Sequence, residues 1–290
     1  MTGARWILRS LLFVPGSRAD MMQKAARYGA DALILDLEDG VAPEAKPYAR
    51  QCVAAALEAQ FVEELPVFVR VNGVTSGLLD DDLGGALRPR VDAVCLPKAG
   101  SPEEIEAVDA RLQALEDRWG VPRGRLGIVP MIENARGVLN AAAIARGPRV
   151  AAVGFGAEDY TADIGVARTR EGGELHFARA AVGLAAHAAG VEPLDGIYAD
   201  FRDLDGLRAD TISARALGYS GKMVIHPAQI GTVHSAFAPS AEDVDRARRI
   251  VAAFEEARAR GTGIAIVDGA MVDRPVVLRA QRTLEIAGRG

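Results

Sequence analysis

Short apolar runs alternate with longer, alanine-rich stretches of helical period along most of the chain. The runs are SLLFVP (10–15), ALILDLED (32–39), PVFVRVN (66–72), DAVCLPK (92–98), LGIVPMIE (126–133), RVAAVGFG (149–156), GIYAD (196–200) and KMVIHP (222–227). Between them lie segments of helical character, among them 20–29, 47–60, 101–120, 135–147, 174–190 and 203–218. The apolar runs are continuous, not alternating, which predicts strands covered on both faces, as in a parallel sheet. SPEE at 101–104 predicts a helix start, and Gly29, Gly147 and Gly190 predict helix stops. Eight strand-then-helix units predict a (β/α)₈ TIM barrel, with a doubly wound open sheet as the rival.

Beyond the eighth unit the pattern changes. PSAED opens a further helix over 239–261, and 263–288 reads as a hairpin turning at Asp268-Gly269, followed by a last helix. A barrel closes without the final segment. The expected organisation is therefore a catalytic barrel over residues 1–262 and a C-terminal lid or extension over 263–290.

Composition narrows the class. The 290 residues are 49% hydrophobic and 25% charged, enough for a large core and against disorder. With 34 basic and 39 acidic residues and a net charge of −5, no general nucleic-acid surface is expected. Cys52 and Cys95 are the only cysteines, which excludes a disulfide scaffold and argues against structural zinc; Cys95 reads as a small core residue. The stretch WILRSLLFVPG is broken by Arg9 and reads as a strand, not a signal peptide, and no run suits a membrane span. The expected location is cytoplasmic.

Candidate chemistry sits where the strands end: Arg18 after the first; Asp36, Glu38 and Asp39 at the second; Arg70 and Asn72 at the third; Lys98, Glu133, Glu158 with Asp159, Asp200 and His226 at those that follow. In a barrel these positions converge on one rim, where active sites are built. Glu133 and Asp159 come from neighbouring strands and could share a hard divalent cation such as Mg²⁺, or could serve only as acids at helix starts. Arg70, inside an apolar run, calls for a partner: a salt bridge to Asp36 or Glu38, or a substrate carboxylate gripped by its planar fork. VGFGAED lacks the third glycine of a dinucleotide fingerprint, so NAD is rejected; its glycines, Gly156 included, suit backbone approach to an anion. FVPGSR gives a turn, Arg18 and a helix N-terminus, a plausible phosphate contact or an ordinary surface arginine.

RSLLFVPGSR, ALILDLEDGV with AKPYAR, FVRVN, CLPK, PMIE, GFGAED, GKMVIHPAQI and MVDRPVVLRA, in this order over nearly the whole chain, resemble the citrate lyase β-subunit-like group of the HpcH/HpaI aldolase superfamily. That group includes malyl-CoA and citramalyl-CoA lyases. The resemblance implies a Mg²⁺-dependent carbon–carbon lyase that cleaves a 3-hydroxyacyl-CoA to an acyl-CoA and a 2-keto acid. By the same resemblance, Glu133 and Asp159 match the metal ligands and Arg70 the keto-acid clamp. Phe13, Arg18 and Lys24 match positions near the thioester and the CoA phosphates, and Glu38 and Asp39 match acids that hold metal-bound water. Asp273 matches an acid that a neighbouring subunit's lid delivers, which implies a homo-oligomer, a trimer, with composite sites. Two alternatives stand beside this reading. Asp39 occupies the place where the superfamily's aldehyde-using aldolases carry histidine, so a 2-keto-acid aldolase working without CoA is the runner-up. The third reading is a β subunit active only within a citrate lyase complex.

Overall fold

The computed structural model describes residues 6–59 and 65–288. Gln60, the last position of the helix expected over 47–60, lies outside the described residues, as do the outer ends of the two expected domains, 1–5 and 289–290. Eight parallel strands close into a barrel in chain order. They are β1 Ser10–Pro15, β2 Ala32–Asp36, β3 Val67–Arg70, β4 Ala93–Leu96, β5 Gly127–Ile132, β6 Ala152–Phe155, β7 Glu192–Asp195 and β8 Gly221–Val224. The closing contact is β1 with β8, Leu11 opposite Met223. Helices α1 Ala19–Ala25, α2 Lys46–Glu58, α3 Leu79–Ala86, α4 Pro102–Trp119, α5 Ala135–Ala145, α6 Ala157–Asp163, α7 His176–Ala189 and α8 Leu204–Ala216 follow the strands in turn, α6 and α7 both after β6. The seventh strand was expected over 196–200; the structure forms it at 192–195 and leaves GIYAD in the loop beyond it.

Strand parity decides what faces inward. Successive side chains alternate between the two faces, so every second residue fills the barrel. The inner core is built from Leu11, Ala32, Ile34, Phe68, Ala93, Cys95, Val129, Met131, Ala152, Leu194 and Met223, all nearly free of solvent. Burying each large member stabilises the fold by about 1.5–3 kcal/mol. Burial also pushes the Cys95 thiol up to about 12, in keeping with a core residue. Continuing the same parity toward the strand ends gives Phe13, Asp36, Arg70, Glu133 and Ile225 one step on, and Gly156 two steps on from Ala152. The sequence register that packs the core therefore also aims these polar groups into the barrel mouth.

By internal contacts the chain divides after His234, within α9 Ala228–Phe237. The second unit, 235–290, contains α10 Ala241–Ala259, the hairpin β9 Ala265–Val267 with β10 Ala270–Val272, and α11 Arg274–Ala287. Its own small core joins Ala247, Ile250 and Ala257 of α10 to Ala265, Val272, Val277 and Ala280. That packing groups α10 with the hairpin, whereas the sequence expectation placed 239–261 with the barrel. Ser240 and Asp243 form a reciprocal capping box at the start of α10. Asp268 and Gly269 both turn with positive φ, 50° and 77°, as a two-residue hairpin requires. Among the described residues, no helix is long and apolar enough to cross a membrane.

Candidate active site

The barrel mouth holds a cavity of about 340 Å³, lined by Phe13, Asp36, Asp39, Arg70, Glu133, Gly156, Glu158, Asp159 and Ile225 among others. Its base is the last apolar layer, Met131 and Met223.

Asp36 anchors the β2 rim. The backbone N–H groups of Glu38 and Gly40 donate to its two oxygens at 2.9 and 2.8 Å, and Arg70 grips the same two oxygens through Nε and Nη2, both at 2.7 Å. Gly40 is needed here: a Cβ at this position would lie 2.4 Å from Asp36 Oδ2. The third nitrogen of Arg70, Nη1, stands 3.0 Å from Glu38 Oε2, and the guanidinium lies 4.7 Å from the Phe13 ring centroid. Burial alone would weaken the guanidinium's hold on its proton. The bonds to Asp36 and the charges of Asp36, Glu38 and Glu133 more than offset it, and the pKa rises. The salt-bridge alternative for Arg70 is thus realised, with both candidate partners at once.

Lys46, from the AKPYAR segment, fixes the backbone beneath Glu38. Its buried ammonium donates to the carbonyls of Leu37 and Glu38 and to Asn72 Oδ1. Asn72 is held in turn by Asp82, so it serves the scaffold and not the cavity. Glu38 is buried, and its Oε2 makes no hydrogen bond among the described residues despite the nearby charge of Arg70. Desolvation raises its pKa, against the pull of Arg70 and Lys98.

Glu133 is 3% exposed. One oxygen, Oε2, accepts from the backbone N–H of Lys98 at 2.8 Å. Burial, followed by the charges of Asp159 and Glu38, pushes the carboxyl up to about 8. Room for it comes from Gly156, where a Cβ would sit 2.4 Å from Glu133 Cγ and 2.5 Å from Oε1. Gly156 lines the cavity, while its own N–H donates to the Ile132 carbonyl at 2.9 Å. Asp159 stands in the first turn of α6, about one-third exposed. Its neighbour Glu158 pairs with Arg168.

Lys98 is the participant that sequence reasoning left without a role. Its ammonium lies 2.7 Å from Glu38 Oε1, 3.4 Å from Asp159 and 3.6 Å from Asp39. Only its position after the fourth strand signalled it. Arg18 and Lys24 lie on or beside α1, exposed and outside the cavity lining; Arg18 is paired with Asp20 at 2.9 Å. The N–H of Gly16 is used by the Asp36 carbonyl, so the FVPGSR turn does not present it to a phosphate. His226 stacks on Phe201 outside the cavity. In the second unit, Asp273 is the N-cap of α11, accepting from the Val276 N–H at 3.3 Å.

The cluster is unbalanced. Among the described residues, Asp36, Glu38, Asp39, Glu133 and Asp159 face Arg70 and Lys98, a formal excess of three negative charges. Neighbouring carboxylates resist joint ionisation unless a cation stands between them. Its carboxylates offer oxygen ligands, and among the described residues no imidazole or thiolate lines it. Among the described residues, no three His, Cys, Asp or Glu side chains form a closed metal cage. Those features fit Mg²⁺, which is held through one or two carboxylates and completes its shell with water or ligand oxygens.

Known proteins of the same kind bear on this geometry. Residues 9–227 match the profile of the HpcH/HpaI aldolase/citrate lyase family. The chain is 41% identical over 288 residues to a citrate lyase subunit beta-like protein of Deinococcus radiodurans, covering 96% of each chain. It is 36% identical to the human mitochondrial citramalyl-CoA lyase, over 96% of this chain and 85% of that one. The crystal structure of the Mycobacterium tuberculosis protein CitE, in complex with magnesium, acetoacetate and coenzyme A, superposes with a TM-score of 0.80 at 32% identity, covering 97% of this chain and 98% of the other. With a family profile spanning the barrel and relatives matched almost end to end, the chain belongs to the HpcH/HpaI aldolase/citrate lyase family.

Proposed function

We propose that this protein is a Mg²⁺-dependent carbon–carbon lyase that cleaves a 3-hydroxyacyl-CoA of the malyl-CoA or citramalyl-CoA type into an acyl-CoA and a 2-keto acid. The observation that carries the reading is the excess of negative charge at the mouth, centred on Glu133 and Asp159 beside a fixed guanidinium. A lyase relative acting on a CoA thioester, and a structural neighbour holding magnesium, a keto acid and coenzyme A, support it.

Glu133 and Asp159 would hold the cation, which supplies Lewis-acid stabilisation of negative charge on the hydroxyl and carboxylate oxygens of the substrate. Arg70 has one fork edge bonded to Asp36 and its third nitrogen beside Glu38; the N–H groups left over would bind the substrate carboxylate. Phe13 supplies an apolar wall against which the thioester end can lie. Asp39, at the cavity wall, and Glu38, behind it, are assigned to hold water beside the cation. In the cleavage the hydroxyl would pass its proton to water held by Asp39, the oxygen-bearing carbon would become the keto carbonyl as the carbon–carbon bond breaks, and the electron pair of that bond would pass to the α-carbon of the thioester. That carbon then needs a proton, and Asp273 is assigned as the donor. Arg18 and Lys24, basic and exposed, are assigned to the CoA phosphates.

Asp273 belongs to the C-terminal unit, and the reading places it at the site of a neighbouring subunit in a trimer. Mixing Asp273→Asn with Glu133→Gln subunits tests that part. Each parent assembly should be nearly inactive, and mixed assemblies should recover activity; no recovery after verified exchange overturns the shared site. The chemistry is tested by stripping the protein with chelator and offering malyl-CoA, citramalyl-CoA and their keto-acid and acyl-CoA products, with mass-spectrometric detection. Mg²⁺-restored formation of a keto acid plus an acyl-CoA is expected. Turnover of free hydroxy acids alone would favour the aldolase alternative.

A further inference from the structure

Lys98 touches both carboxylates assigned to the cation, and it does so through two different parts of the residue. Its amide donates to Glu133 Oε2 at 2.8 Å, and its carbonyl accepts from Asn134 Nδ2 at 3.1 Å. Its backbone stands at φ 54°, a left-handed conformation that residues bearing a Cβ seldom adopt. From that backbone the side chain, 45% exposed, reaches across the mouth to Glu38 at 2.7 Å and Asp159 at 3.4 Å. The strained turn thus delivers an N–H to one carboxylate and an ammonium to the other. Asp39 lies 3.6 Å from the same ammonium.

This geometry has a consequence if the site holds a divalent cation, the reading on which the inference rests. The ammonium already pairs with Asp159 Oδ1 at 3.4 Å, and two positive charges cannot share that carboxylate without repulsion. The nearby partners Glu38 and Asp39 give the ammonium somewhere to remain when Asp159 is taken. We propose that Lys98 is a positioning residue that supplies the site's own counter-charge. In the metal-free protein it steadies Asp159 and Glu38, and it competes with the divalent cation for Asp159, making cation binding weaker than the carboxylates alone would give.

The test uses the full-length, chelator-stripped protein and Mn²⁺ alone, an oxygen-seeking stand-in for Mg²⁺, with binding read from the free-ion electron paramagnetic resonance signal. Lys98→Met should bind Mn²⁺ roughly tenfold more tightly, because a unit charge a few ångströms from a divalent ion is removed from a partly solvated site. Lys98→Gly removes the same charge while suiting the left-handed backbone, so it should match Lys98→Met and guards against a folding defect in either. Lys98→Arg keeps the charge and should bind within about twofold of the parent. In chelator, Lys98→Met should lose more thermal stability than it does in saturating Mn²⁺. Unchanged or weaker Mn²⁺ binding in both Lys98→Met and Lys98→Gly, with the parent binding normally and Glu133→Gln not binding, overturns the role of Lys98 alone. Absence of Mn²⁺ binding by the parent overturns the cation reading together with it.

Discussion

The barrel carries two dense charge clusters on opposite sides of its wall, and they are built on opposite principles. Lys222 of β8 and Asp195 of β7 point outward, because their neighbours Met223 and Leu194 fill the interior. There they meet Arg179 of α7 and Asp210 of α8. Arg179 bonds Asp195 at 2.8 and 2.5 Å and Asp210 at 2.9 Å, while Lys222 bonds both aspartates. Two cations meet two anions, and the group is closed. Burial works against the Asp210 carboxylate, yet the charges of Lys222 and Arg179 outweigh it and hold the carboxyl at about 2. At the mouth the opposite holds: acids outnumber cations, a buried Glu38 oxygen is left without a hydrogen bond, and Glu133 is pushed up to about 8. A charge cluster that serves the fold is balanced within the chain. One that serves a ligand is left for the ligand to balance.

That contrast can be broken from either side. The largest effect should come from Glu133→Gln, which removes a carboxylate proposed to hold the cation and with it several kcal/mol of charge stabilisation; Mg²⁺-dependent turnover should fall roughly thousandfold or more. Residual activity near the parent's would remove Glu133 from the chemistry. Next, Lys222→Met leaves buried Asp195 without its ammonium and should destabilise the protein by about 3–5 kcal/mol in denaturant unfolding. Mn²⁺ affinity should stay at the parent's value, and a change in it would couple the two clusters. The smallest effect lies in acid. A carboxyl depressed in the fold contributes stability above its unfolded pKa of about 3.9, and that contribution is lost as pH falls from there toward about 2. Asp210→Asn should therefore flatten the loss of stability between about pH 4 and pH 2, and an unchanged slope would mean that other acids carry it.

How much of this was legible in the sequence differs between the two clusters as well. The barrel was readable because eight apolar runs separated by helical periods leave few other folds, and the mouth residues were readable because they continue the inward parity of those runs. Arg70 announced a partner by being charged within VFVRVN. Lys98 did not announce its role, since neither its left-handed backbone nor its reach to three carboxylates has a local sequence signature. Gly156 was legible as a special position, but the constraint Glu133 places on it is distant in sequence. The outward cluster was missed altogether. Arg179 and Lys222 look like ordinary surface charges until tertiary packing buries them. The sequence shows α10 as a complete helix but not what it packs on; its packing with α11 groups it with the hairpin.

Thermal unfolding of the parent and of Glu133→Gln, each with chelator and with Mg²⁺, asks whether the mouth is destabilised for lack of a cation. The sign follows from Glu133. Its carboxyl is raised in the fold, so the folded state retains a proton that the unfolded chain releases, and stability of the metal-free parent declines as pH rises from about 4.3 toward 8. At pH 8 in chelator, Glu133→Gln should melt several degrees above the parent, and Mg²⁺ should raise the melting temperature of the parent only. If Glu133→Gln instead melts below the parent in chelator, and Mg²⁺ shifts both proteins equally or neither, the mouth is a structural ion cluster and the account is contradicted.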